Sequence, residues 1–321
     1  MSQGNNSTAH WLMAGALGLI GIFVIIALIT VNSQADTVST NTNIDDVQPT
    51  VDSIFVSSSA NAKADTWNDG SIELTSGTTT TIHINGTVAD NNGYQDITNV
   101  EATFYHDDGV RSESCSADNN NCYKVANCTL SSGTLNAIDY NCQMDLQFYT
   151  DSTMAGGAGA GNDWRVFVSV TDGDDGAVTD DTLTKDVNTL LSVNIPNSIE
   201  FGTLAIGSKT TAANNQVMVI EQRGNDRADL EIEGNSLVCS VRGSIPNGNI
   251  EFGLTDVAHS DASMTDVPNV GSSTGLSTNL PYATAGTVPV QDNVFWNIEI
   301  PNGGVEGTCT GNTIVSAVAM P

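Results

Sequence analysis

Apolar and polar residues alternate with a period of two in short runs along most of this chain. The clearest run is "DWRVFVSVTDG" (163–173). It puts Trp164, Val166, Val168 and Val170 on one face and Arg165, Phe167 and Ser169 on the other. That is the pattern of a strand with one buried face. "SIELTSG" (71–77), "TTTTIHINGTV" (78–88), "NVEATFYHDDG" (99–109) and "QMDLQFYT" (143–150) read the same way. After about residue 188 the pattern restarts with "SIEFGTL" (198–204), "NQVMVIEQ" (215–222), "ADLEIEG" (228–234), "NIEFGL" (249–254), "NVFWNIEI" (293–300) and "NTIVSAVA" (312–319). Gly224-Asn225 falls between two such runs and predicts a hairpin turn. Residues 255–290 read as one long surface loop with a strand or two. Short strands with turn residues every 8–12 positions predict an all-β chain of two tandem antiparallel sandwiches, over 51–187 and 188–321.

One stretch breaks the pattern. "WLMAGALGLIGIFVIIALITV" (11–31) is uncharged and largely apolar. As a helix it spans ~30 Å, the thickness of a bilayer core. It predicts a transmembrane signal anchor behind a short tail, residues 1–10. The alternative is a cleaved signal peptide ending near Ser33-Gln34-Ala35. Against it stand an apolar run longer than a usual h-region and the absence of a basic n-region. Residues 32–50 are polar and aperiodic, as in a spacer.

Charge and cysteine content place the body outside the cell. There are 37 acidic residues against nine Lys and Arg, a formal charge of −28. A body this acidic repels phosphate backbones, which excludes nucleic acid as a partner. Six cysteines, Cys115, Cys122, Cys128, Cys142, Cys239 and Cys309, lie beyond the apolar stretch with no C-x-x-C spacing. An even count there indicates disulfides made in an oxidising compartment. The first four permit three pairings, among which the sequence does not choose; the local pairs Cys115–Cys122 and Cys128–Cys142 are expected, with Cys239–Cys309 in the later half. The last closes a loop worth roughly 4 kcal/mol in the chain-entropy account. Residues 32–321 are therefore expected to be extracellular on a cell membrane.

"IEFGTLAIGSKTTAANNQVMVIEQRGNDRADLEIEG" (199–234) resembles an Ig-like module of prokaryotic surface proteins. Those modules have a strand ending in F/W-G-x-L, a small-residue turn, a second strand, a G-N turn and a third strand. "VADNNGYQDITNVEATFYHDDG" (88–109), followed by "WRVFVSVTDGDDGAVTDD" (164–181), is similar to Ig-like and PKD-like ectodomain modules. The resemblance implies tandem sandwich ectodomains on a cell surface; it implies no activity.

The densest patch of candidate chemistry is "VTDGDDGAVTDD" (170–181). Read as an EF-hand from Asp172, it has Gly176, Ala177 and Leu183 where that loop needs an oxygen ligand, Gly and Glu. The plain reading is a hairpin turn rich in Asp and Gly. The alternative is a Ca²⁺ site of another kind, formed where this turn meets "ADNNGYQD", with Asp90, Asn92, Asp96, Asp172, Asp174 and Asp175 as oxygen donors. No other cofactor is expected. His83, His106 and His259 lie in no catalytic motif, G-x-S-x-G and H-E-x-x-H are absent, and His106-Asp107-Asp108 reads as the polar end of a strand. Sequons at Asn85 and Asn127 are near chance in so Asn- and Thr-rich a chain. The expectation is a membrane-anchored structural or interaction protein of adhesin or envelope type, without catalysis, whose partners are other surface proteins or glycans. The alternatives are a subunit of a pilus-like extracellular filament and a secreted carbohydrate-active hydrolase, which would need two facing carboxylates.

Overall fold

The computed structural model describes residues 38–67, 70–154, 159–173, 176–286 and 289–320. The described chain is all-β: twenty strands in five sheets, two three-residue 3₁₀ turns and no α-helix. None of its helices is long and apolar enough to cross a membrane. The stretch 11–31, on which the anchor expectation rests, lies outside the described residues. Residues 38–45 belong to an N-terminal unit and form no strand; residues 46–321 form one compact unit.

Two hydrophobic cores occupy that unit. The first half has β1 (Thr50–Ser57), β2 (Ser71–Ile72), β3 (Thr79–Ala89), β4 (Ile97–Asp107), β5 (Cys122–Val125), β6 (Thr129–Thr134), β7 (Ala137–Gln147), β8 (Asp163–Asp172) and β9 (Ala177–Val187). One sheet runs β1-β3-β7-β6 and the other β2-β9-β8-β4-β5. Pairing is antiparallel except between β2 and β9. Trp164, Val166, Val168 and Val170 are fully buried, and Trp164 stacks on Phe104 at 4.6 Å. Ile82, Ile84, Tyr140, Met144 and Leu146 belong to the same core from the other sheet. Burial of each such side chain contributes about 1.5–3 kcal/mol, so the alternation is the main force setting register.

The second half has β10 (Val193–Asn194), β11 (Gln216–Gln222), β12 (Ala228–Gly234), β13 (Leu237–Cys239), β14 (Ser244–Ile245), β15 (Ile250–Gly253), β16 (Thr265–Asp266), β17 (Thr274–Leu280), β18 (Gln291–Ile298), β19 (Cys309–Thr310) and β20 (Thr313–Ala319). They form sheets β10-β11-β18-β15-β16, β17-β12-β20 and β14-β13-β19. Their shared core holds Met218, Ile220, Leu230, Ile232, Phe252, Trp296 and Ile298.

Two expected elements are absent. Residues 198–204 form no strand; residues 195–204 make no hydrogen bond among the described residues, although Ile199, Phe201 and Leu204 pack on the core. Apolar alternation brings one face inward, but without a partner edge there is no ladder. Nor do β11 and β12 make a hairpin, since they lie in different sheets. Gln222 reshapes that turn: its Oε1 accepts the Gly224 N–H at 3.0 Å and its Nε2 donates to Asp226 O at 2.8 Å.

The same turn joins the two halves. Asn225 is fully buried; its Nδ2 donates to Thr150 O (2.9 Å) and Asn188 O (3.0 Å), and its Oδ1 accepts the Leu190 N–H (2.6 Å). Gly224 fits beside it because a Cβ there would strike Leu190 O.

The cysteines form Cys115–Cys122, Cys128–Cys142 and Cys239–Cys309. Between β5 and β6 the chain changes sheets, and Cys128, whose N–H bonds Val100 O of β4, is tied there to Cys142 of β7. Cys239–Cys309 clips β13 to β19 at directly opposed positions, 70 residues apart in sequence.

In denaturant unfolding, replacing both Cys239 and Cys309 by Ala is expected to cost about 4 kcal/mol. The Cys115/Cys122 pair, closing a much shorter loop, should cost about 2.5 kcal/mol, and the reverse order would contradict the loop-entropy account. Asn225→Ala strands one donor and two acceptors and is expected to cost about 3 kcal/mol or more.

Candidate functional site

The end of the first half gathers the acidic residues singled out above. β8 ends at Asp172, paired with Ile97 at the start of β4, so the β8–β9 turn lies against the β3–β4 connection. Thr98 Oγ1 donates to the carbonyls of Thr171 and Asp172, each at 3.0 Å. Gly173 admits the Asp96 carboxylate, whose Oδ1 would lie 2.8 Å from any added Cβ. The turn closes as a hairpin: the Asp172 N–H bonds Gly176 O at 3.1 Å, and Asp172 Oδ1 accepts the Gly176 N–H at 2.7 Å. Asp90 caps its own turn, with Oδ1 accepting the Asn92 N–H at 2.6 Å and its backbone N–H bonded to Asn136 O at 2.7 Å.

This geometry divides the six candidate oxygen donors. Asn92 Oδ1 accepts the Val47 N–H at 2.8 Å and so fixes the chain's entry into β1. Asp90 and Asp172 are buried, Asp96 is half-buried, and Asp174 and Asp175 lie outside the described residues. Among the described residues no three His, Cys, Asp or Glu side chains stand close enough to share a metal ion. One observation fits a cation: Asp90 Oδ2 is buried and has no hydrogen-bond partner. A buried carboxylate oxygen with nothing to bond is costly unless a positive charge approaches it.

The three described histidines stand in three different settings. His83 Nδ1 contacts Asn141 Oδ1 at 2.9 Å on β3. His106 is buried, not part of an exposed strand end, because Trp164 packs against it at 5.7 Å and draws it inward. Its neighbours Asp107 and Asp108 turn outward to Arg165 and Arg111, which leaves no relay among the three. Around His106 lies a buried polar group that the sequence pattern did not reveal. Asn120 Nδ2 donates to Asp151 Oδ1 at 2.9 Å, Asp151 O accepts from Trp164 Nε1 at 2.9 Å, and the Tyr123 hydroxyl meets Thr150 Oγ1 at 2.6 Å. Both His106 ring nitrogens and the Oδ1 atoms of Asn120 and Asn121 are buried without partners. Burial pushes the Asp151 carboxyl up, opposed by the Asn120 hydrogen bond, and pushes the Tyr123 phenol well above its ordinary range. The available signal was "DNNN" (118–121) and "TDST" (150–153), polar runs flanking apolar strands.

His259 makes a second unexpected cluster. Its Nε2 lies 3.2 Å from Asn249 O, and its Nδ1 lies 2.8 Å from Ser260 Oγ. Lys209 Nζ donates to the same hydroxyl at 3.1 Å and pairs with Glu299 at 2.9 Å, while Glu251 accepts the Ser260 N–H at 2.7 Å. Ser260 has φ +71°, a left-handed conformation that costs a non-glycine residue energy. The cluster holds that strained turn in place. Ser260 is exposed, and neither His259 nor Ser260 lines the cleft described below.

No family model matches the chain, and no curated protein is similar enough to align with it. Among solved structures, the secreted serine protease VesC from Vibrio cholerae is similar at 12% identity, with a TM-score of 0.17. The likeness covers 78% of this chain and 49% of that one, so the chain spans about half the protease's length. At that score it carries no argument about fold or activity.

Asp151 supplies a pH test. A carboxyl whose folded-state pKa is raised favours the folded state while protonated, and that contribution is lost as pH rises from about 3.9 through the raised value. Asp151→Asn removes the titration and keeps an acceptor for Asn120. Relative to wild type, its urea midpoint is expected to be higher at pH 7 than at pH 3. An equal difference at the two pH values would show that burial does not govern this carboxyl.

Proposed function

We propose that this chain is an exported, membrane-anchored structural or interaction protein of the cell surface, without catalytic activity. Residues 11–31 are its anchor and residues 32–50 its spacer. Two Ig-like sandwiches, split near residue 188, form its ectodomain. The observation that carries the reading is the set of three disulfides, which accounts for all six cysteines of the chain. Disulfides on this scale belong to oxidising compartments outside the cytoplasm. The acidic body supports it too, because a high net charge of one sign keeps neighbouring surface proteins soluble and apart.

The β8–β9 turn serves this reading as a plain hairpin and needs no cofactor. A second reading, Ca²⁺ at that turn, has the orphaned Asp90 Oδ2 in its favour. A bound ion there would stiffen the end of the first half.

Two measurements test these statements. In native membranes the protein is expected to stay in the pellet through high-salt and alkaline washes, and protease added to intact cells should remove the folded body. Recovery in the soluble fraction, or protection from the protease, would sink the anchored reading. The thermal midpoint of the full chain in detergent is expected to be the same with 1 mM CaCl₂ as with chelator (about 2.7 kcal/mol of stabilisation would accompany an ion present at 100-fold its Kd). A raised midpoint that Asp90→Asn abolishes would establish the calcium reading instead.

A further inference from the structure

The second half contains a slot shaped for a missing strand. β20 is the last strand of its sheet and pairs only with β12, so its other edge is open. A cleft of about 920 Å³ is bordered by residues 305–315 on one side and by residues 195–204 on the other. The second border makes no hydrogen bond of its own. The floor is apolar and includes Met218, Ile250, Trp296 and Ile298. An open strand edge, of which Thr313, Ile314 and Val315 line the cleft, and an extended segment without hydrogen bonds are two separate deficits on its two sides. A single inserted strand offers backbone groups to both borders.

The chain also carries a strand without a sheet. Within the polar stretch 32–50, which lacks hydropathy periodicity, "VSTNTNI" (38–44) does alternate in side-chain shape: the β-branched residues Val38, Thr40, Thr42 and Ile44 alternate with Ser39, Asn41 and Asn43. That is the composition and period of a strand that lays one face on an apolar surface. All seven residues are exposed, Val38 at 83% and Ile44 at 84%, and they form no strand. The segment is uncharged and is followed by Asp45 and Asp46. In a chain of charge −28, an uncharged segment is where two copies can meet with least repulsion.

We propose that residues 38–44 of one copy insert between β20 and residues 195–204 of a second copy, joining copies head to tail. The contact is heterologous, so each copy offers an arm and a slot, and chains of copies grow until the geometry closes a ring. The inference does not depend on residues 11–31 holding a membrane. A protein released from membranes could still assemble, and an anchored one could remain single.

The test uses the full chain in detergent. Wild type is expected to show dimers and larger species that increase with concentration, whereas Val38→Asp/Ile44→Asp, which changes only exposed residues, should remain at the mass of one chain. A synthetic peptide of residues 38–46 added to that variant should slow amide exchange at both 195–204 and 313–319 by about tenfold or more, and a scrambled peptide should not. Wild type that stays single at every concentration would overturn the proposal, as would a double variant that assembles like wild type. Exchange protection of 195–204 in single wild-type chains, lost in the variant, would show the arm filling its own slot and would overturn it equally.

Discussion

In a chain with no α-helix among its described residues, backbone N–H and C=O groups can be satisfied only by a neighbouring strand, a turn, a side chain or water. Much of this structure follows from that constraint. Register is set by whichever pairing also buries the alternating apolar face, as β8 does when it places Trp164 and three valines between β4 and β9. Where pairing fails, side chains take over. Asp90, Asp172 and Gln222 each turn an acceptor on nearby backbone N–H groups, holding the chain where no ladder can. Residues 195–204 have neither a ladder nor such a side chain, and the cleft lies beside them.

The positive charges show a similar economy. Of nine Lys and Arg residues, seven stand in ion pairs: Lys63, Arg111, Arg165, Lys185, Lys209, Arg223 and Arg242. Most are partly exposed, where one pair contributes only about 0–1 kcal/mol. Their collective effect is on the surface field: with most cations already matched, the excess acid faces solvent nearly undiluted.

The all-β class was legible because it rests on alternation, a local property. The four-residue face of β8 can be read directly; the disulfides join the expected local pairs, a choice among three pairings that spacing alone left open. Partner choice was not legible, because it depends on residues far apart in sequence. "IEFGTL" alternates as well as β11 does, yet only β11 has an edge on each side. Gly224-Asn225 has hairpin composition, but Gln222 and the buried acceptors at Thr150 and Asn188 bend the chain into another sheet. At the acidic turn the meeting of two loops was readable from sandwich geometry. The use of Asn92 to hold Val47 was not, since it joins positions 45 residues apart. His106 looked like a turn residue because its neighbours are aspartates; its burial comes from Trp164 on another strand.

The Asn225 knot has a consequence for the order in which the chain takes shape as it is delivered. The fully buried residues of the first core all lie at or before Val187, where β9 ends and receives β2, with only Leu190 packing on it from beyond. A chain emerging from its N-terminus can therefore finish that core while the rest is still in transit. Once it has, Thr150 O and Asn188 O stand as a fixed pair of acceptors waiting for an amide that has not yet arrived. Asn225 reaches them before β12, β18 and β20 have appeared. The first half thus acts as a template, anchoring the second at one point before any of its long-range partners exist.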